Sequence, residues 1–152
     1  MILSWGKPTI EHTTSTDGAP GASASWTKID TPKEDTTQLT TTAGEEVNAT
    51  EEGGAVVDTR YKRTTYQFEF DLFVKKGTQK PFTDEDGVIS GEHAFRLIPE
   101  DDTCEGIQID RAVVRVEESY TSAEGKLLHY VAKCLKPKSG TTVKPYTKTA
   151  SV

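Results

Sequence analysis

Apolar and polar residues alternate most regularly over residues 64–75. Tyr66, Phe68, Phe70, Leu72 and Val74 fall on every second position, with Gln67, Glu69, Asp71 and Lys75 between them. Side chains alternate across a strand, so this pattern predicts a β-strand with one apolar and one charged face. At about 3.3 Å per residue it would span roughly 40 Å, about twice a common strand. A strand of that length needs long partners and is expected near the centre of a sheet. It holds three of the five Phe in the chain, so most of the core is expected on its apolar face.

Weaker alternation marks the other elements. Residues 2–12 predict a first strand, interrupted at Gly6-Lys7-Pro8, and residues 26–30 a second. Residues 13–25 read as a turn-rich stretch. Residues 38–42 and 45–50 predict two strands around a turn at Ala43-Gly44. Their faces are polar (Thr40, Thr42, Glu46, Asn48), so such a hairpin buries little alone and is expected to need a neighbour outside its own domain. Glu51-Glu52-Gly53-Gly54 links it to a small apolar patch, Ala55-Val56-Val57, and to the basic run Arg60-Tyr61-Lys62-Arg63. Residues 81–90 predict an acidic loop or a short helical turn, the best place for a helix in this chain. Residues 91–99 predict a strand with His93, Phe95 and Leu97 on one face and Ala94 and Ile98 on the other. In residues 107–119, Ile107 and Ile109 share one parity, whereas Ala112, Val114 and Val116 share the other. That switch predicts a β-bulge near Asp110-Arg111. Residues 127–135 return, which makes residues 107–135 a hairpin.

Composition sharpens the class. Of 152 residues 23 are Thr, whose branched side chain favours extended backbone, and 12 Gly and 7 Pro supply turns. The expectation is one all-β domain over residues 1–152, an antiparallel sandwich or barrel with at most one short helix. Hydrophobic residues make up only 34%, so the core is modest and much of the chain is surface or arm. The net charge of −6 is uneven: residues 126–152 hold six Lys and no acid. Copies of such a chain can stack with opposite charges facing. No apolar run is long enough to span a membrane, and the first residues lack the pattern of a signal peptide. Cys104 and Cys134 are expected as free thiols.

No catalytic apparatus emerges, and no cofactor or metal is expected. Residues 83–90 carry Asp84, Asp86 and Gly87 at calcium-loop places. However, Phe82 and His93 occupy the first and twelfth positions, so a solvated acidic turn is the better reading. Asn48-Ala49-Thr50 is a chance glycosylation triplet. His12, His93 and His129 lie at no metal-ligand spacing. Arg60 to Arg63 in an acidic protein fit a solvated patch or a salt-bridging interface better than a nucleic-acid site.

Taken together, Thr31-Pro32-Lys33-Glu34-Asp35-Thr36-Thr37-Gln38-Leu39, the strand at 64–75, Asp86-Gly87-Val88-Ile89-Ser90-Gly91-Glu92 and the hairpin 107–135 ending in Leu135-Lys136-Pro137-Lys138 resemble tail tube proteins of phages and prophages. The small forms of gut Bacteroidetes are the nearest in layout. The likeness covers roughly residues 26–140 and carries over no signature residue. It implies a β-sandwich or barrel with a short helix that forms hexameric rings, which stack into a hollow tube conducting DNA or effectors. It also implies tail or baseplate partners, assembly in the bacterial cytoplasm and a final place in the virion tail. On this reading Gln67, Glu69 and Asp71 line the lumen, where acidic groups let DNA slide rather than stick. Residues 36–63 form an assembly arm, and Val56, Val57, Arg60, Lys62, Arg63, Lys136 and Lys138 make contacts between subunits. The alternative is a β-sandwich binding module, a virion decoration or carbohydrate-binding domain, with Trp5, Trp26 and Tyr61 as stacking platforms.

Overall fold

The computed structural model describes residues 1–21 and 24–148. Two short pieces of the regions read above, residues 22–23 of the turn-rich stretch and residues 149–152 of the Lys-rich tail, lie outside them. The described residues form an all-β fold in which a curled antiparallel sheet makes a half-barrel, with no helix. Its strands are β1 (Thr9–Thr16), β2 (Ala19–Pro20), β3 (Thr27–Lys28), β4 (Gln38–Thr42), β5 (Glu46–Thr50), β6 (Val56–Tyr61) and β7 (Thr65–Phe73). They continue with β8 (Asp84–Glu85), β9 (Val88–Ile89), β10 (Glu92–Ile98), β11 (Gly106–Thr121), β12 (Gly125–Cys134) and β13 (Val143–Tyr146).

The main sheet runs β2-β1-β10-β11-β12-β7-β4. The alternating strand at 64–75 is β7. It is shorter than its pattern predicts and lies one place from the sheet edge, with only β4 beyond it. The organising position belongs to the 16-residue β11. One edge of β11 pairs with β10 and β9, the other with β13 and β12. A strand that long can carry two partners in series on each edge, and β7 at nine residues cannot.

The apolar faces meet in one core. Phe68, Phe70 and Leu72 of β7 are buried with Leu128, Tyr130 and Ala132 of β12, Ala112, Val114 and Val116 of β11, and Phe95 of β10. Phe70 stacks on Tyr130 at 5.4 Å between ring centroids, and Phe68 lies 5.7 Å from Phe95. Burial pushes the Tyr130 hydroxyl up to about 12.

The parity switch in β11 is a β-bulge. Phe95 faces Ile109 and His93 faces Ala112, so a step of two residues on β10 matches a step of three on β11. The extra residue lets Ile109 and Ala112 both point inward. Asp110, also buried, accepts a hydrogen bond from Gln108 at 2.7 Å and pairs with Lys144 of β13.

The short helix expected within residues 81–90 is a two-residue hairpin instead. β8 pairs with β9, and Asp86 and Gly87 both take positive φ, 52° and 86°. Two consecutive left-handed residues define the tight hairpin turn that an Asp-Gly pair favours. Gly87 also packs on β11, since Val116 N donates to its carbonyl at 3.0 Å.

Candidate assembly interface

The turn expected at Ala43-Gly44 does not occur. β4 pairs with β7 rather than with β5, and β5 pairs with β6. Thr42 lies opposite Thr65, and four residues further on each strand Glu46 lies opposite Tyr61. The register is therefore unbroken across this junction, shifting by one residue only near the tip between Ala49 and Thr50, and β4–β5 and β6–β7 are two sides of one long ribbon. The interruption is held by Lys62 N donating to Glu45 O at 2.9 Å and by a Lys62–Glu45 ion pair at 2.9 Å. Gly44 explains why the chain passes straight through. A Cβ there would lie 1.7 Å from the Lys62 carbonyl oxygen, so the two backbones approach more closely than any side chain allows. The actual reversal is at the tip, where Glu51 N donates to Ala55 O at 2.8 Å.

Half of this ribbon belongs to the main sheet and half leaves it. Every residue of β5 and β6 is exposed. Val56 and Val57 are each 56% exposed and Tyr61 73%. Thr59 and Asn48 share a cross-strand hydrogen bond of 2.8 Å. At about 3.3 Å per residue, residues 38–50 span roughly 40 Å, the outer part of which touches nothing else. An isolated two-stranded hairpin is at best marginally stable in water. The arm read from sequence as residues 36–63 thus narrows to β5 and β6, residues 46–61. Residues 38–42 at its root are sheet.

Among the contact residues named from sequence, Val56, Val57 and Arg60 lie on β6, and Lys62 and Arg63 at the arm's base; all five are exposed. Lys136 and Lys138 lie beyond the end of β12, also exposed. Arg111 Nη1 donates to the Lys136 carbonyl at 3.2 Å, and Lys138 N donates to Gly18 O at 2.8 Å. The Lys138 bond fixes the segment against the turn between β1 and β2, and the Arg111 side chain ties it to β11.

Gln67, Glu69 and Asp71 share the face of β7 opposite the core. Gln38 and Gln67 both donate to Glu69. The Gln38 bond holds the Glu69 carboxyl below the usual carboxylate range, with Gln67 and the charges of His129 and Arg115 adding to it. Asp71 pairs with His129 of β12. The cross-strand neighbours are therefore His129, Val131 and Lys133, and this face is a mixed-charge network rather than an acidic stripe. Sequence reasoning missed those partners because they come from strands 60 or so residues away, placed by the register alone.

One of the three aromatic platforms changes character. The Arg96 guanidinium sits 3.9 Å from the Trp26 ring centroid and 4.7 Å from that of Tyr146, so Trp26 has a face taken by a cation. Trp5 is 77% exposed and borders a groove of about 670 Å³ with Lys7, Glu34 and Asp35. Tyr61 stands on the arm.

His12 and His93 flank the buried Phe82 at 4.7 and 4.9 Å between centroids. Cys104 is half-buried and Cys134 buried, and both are free thiols. Burial pushes the Cys134 thiol up to about 11. Among the described residues no three His, Cys, Asp or Glu side chains gather as for a metal ion. No helix among them is long and apolar enough to cross a membrane. No protein-family model matches the chain, and no curated protein matches it.

Proposed function

We propose that the chain is the structural subunit of a hollow tube of the phage tail kind, built from stacked rings of six copies that conduct DNA or effectors. One observation carries the reading. An in-register ribbon projects from the sheet and exposes Val56, Val57 and Tyr61 without burying any arm residue in its own chain. Apolar surface held out on a defined hairpin gains stability only when another surface covers it. A repeating subunit supplies that surface at every position. The face bearing Gln67, Glu69 and Asp71 suits a wetted lumen, and the partners are copies of the chain with the end proteins of a tail.

The groove beside Trp5 favours a rival reading, a binding module that stacks a ligand such as a sugar ring on the indole. Shortening the ribbon separates the two. Residues 44–63 replaced by an Asn-Gly turn keep the β4–β7 register. In a tube subunit this variant is a folded monomer that makes no tubes by negative-stain electron microscopy, while the full chain makes them at high concentration. Tubes from the shortened chain would overturn the arm's role. In a binding module the deletion leaves the oligomeric state unchanged.

A further inference from the structure

The tip of the arm and the far end of β7 carry opposite charge around exposed apolar residues, with the basic Arg60, Lys62 and Arg63 between them on the arm and at its base. At the arm end, residues 47–59 hold Glu51, Glu52 and Asp58 and no basic residue, beside the exposed Val56 and Val57. At the other end, residues 73–83 hold Lys75, Lys76 and Lys80 and no acid, beside the exposed Phe73 and Val74. Lys80 is paired with Glu118 at 2.9 Å, and Lys126, whose carbonyl accepts from Val74 N, also reaches Glu118. Lys75 and Lys76 have no carboxylate partner among the described residues, and neither have Glu51 and Glu52.

We infer that the tip of the arm, residues 50–58, docks on the Phe73–Lys76 end of β7 in a second copy of this chain. The inference rests on the tube reading and assigns its stacking contact. Each surface has an apolar centre and a charged rim, and the rims are complementary. β7 starts at Thr65, where the arm is rooted, and ends at Phe73. From Val57 to Phe73 the extended ribbon advances sixteen residues, which puts the two surfaces roughly 50 Å apart at its opposite ends. One copy cannot satisfy both of its own surfaces without folding the ribbon back along the whole strand. The contact is therefore head-to-tail, and a head-to-tail contact that does not close on itself propagates as a filament. Successive arms would then run along the β7 axis and link each ring to the next.

Charge reversal tests this directly. A variant with Glu51→Lys, Glu52→Lys and Asp58→Lys is expected to lose assembly, raising the concentration needed for tubes roughly tenfold or more, and so is a variant with Lys75→Glu and Lys76→Glu. Mixed in equal amounts, the two restore tubes, because each arm now meets an opposite loop on the other variant. Sedimentation and negative-stain images read both results. Assembly of either variant at the concentration of the unaltered chain, or failure of the mixture while both variants remain folded by circular dichroism, overturns the contact and leaves the tube reading standing. A second readout needs no tubes. Chains carrying Glu52→Cys are mixed with chains carrying Lys76→Cys, both with Cys104→Ser, and oxidised. A disulfide-linked heterodimer in excess of either homodimer is expected. Its absence overturns the contact whether or not the unaltered chain polymerises.

Discussion

Phe82 lies between two imidazoles, with Phe95 and Tyr130 completing its surroundings at 5.9 and 5.6 Å. His12 loses water on entering this cluster and faces the like charge of His93, so its pKa is lowered from 6.5, burial being the larger cause. The unfolded chain then binds the proton more readily than the folded one. His12 costs no stability well above pH 6.5, and stability falls as pH drops through 6.5 towards the lower folded value. Urea unfolding at about pH 8 and about pH 5.5 should show this loss, and His12→Asn should flatten it. An equal loss in the variant would assign the acid sensitivity to other groups.

The elements depend on one inserted residue. The bulge at Asp110-Arg111 lets β11 bury Ile107 and Ile109 partly or fully at one end and Ala112, Val114 and Val116 at the other. Deleting Arg111 removes that offset and also the guanidinium that pairs with Glu92. Either half of β11 must then turn its apolar face outward. Exposing Val114 and Val116 alone costs about 1.5–3 kcal/mol each, a large share of a domain's net stability. The expected outcome is a chain that no longer unfolds cooperatively in urea. A cooperative transition within about 1 kcal/mol of the parent would mean that the sheet absorbs the deletion elsewhere.

For the whole molecule, the main sheet and its core form one body, and the arm stands outside it. Local opening is easiest where few side chains are buried, and Arg60, Lys62 and Arg63 lie there, exposed. Trypsin should cut the dissolved monomer first at these three positions and leave the residues of β7, β11 and β12 intact. If copies cover the arm, assembled material is protected at the same sites. Equal cutting rates in monomer and assembly would place the arm in solvent in both and remove it from the interface.

Alternation along β7 and β11 determined that these segments are strands and which faces they bury, because side-chain parity is a local property of extended backbone. The parity switch even located the bulge, since an extra residue leaves its mark in the pattern of Ile109 and Ala112. Composition determined the all-β class through Thr, Gly and Pro. What the pattern could not carry was pairing. Residues 38–42 and 46–50 offer only Leu39, Val47 and Ala49 as apolar side chains, too few to choose between turning back at Ala43-Gly44 and running on. The Lys62 carbonyl beside Gly44 decides it. The Asp-Gly turn at 86–87 had the same ambiguity with a helical turn until β9 met β11. Likewise Arg96 covers Trp26, and His129 meets Asp71, because the sheet register brings distant strands side by side. A strand's face is written in neighbouring residues. Its partners are selected by the closure of long loops and by which apolar faces fit together, and only the tertiary structure settles those.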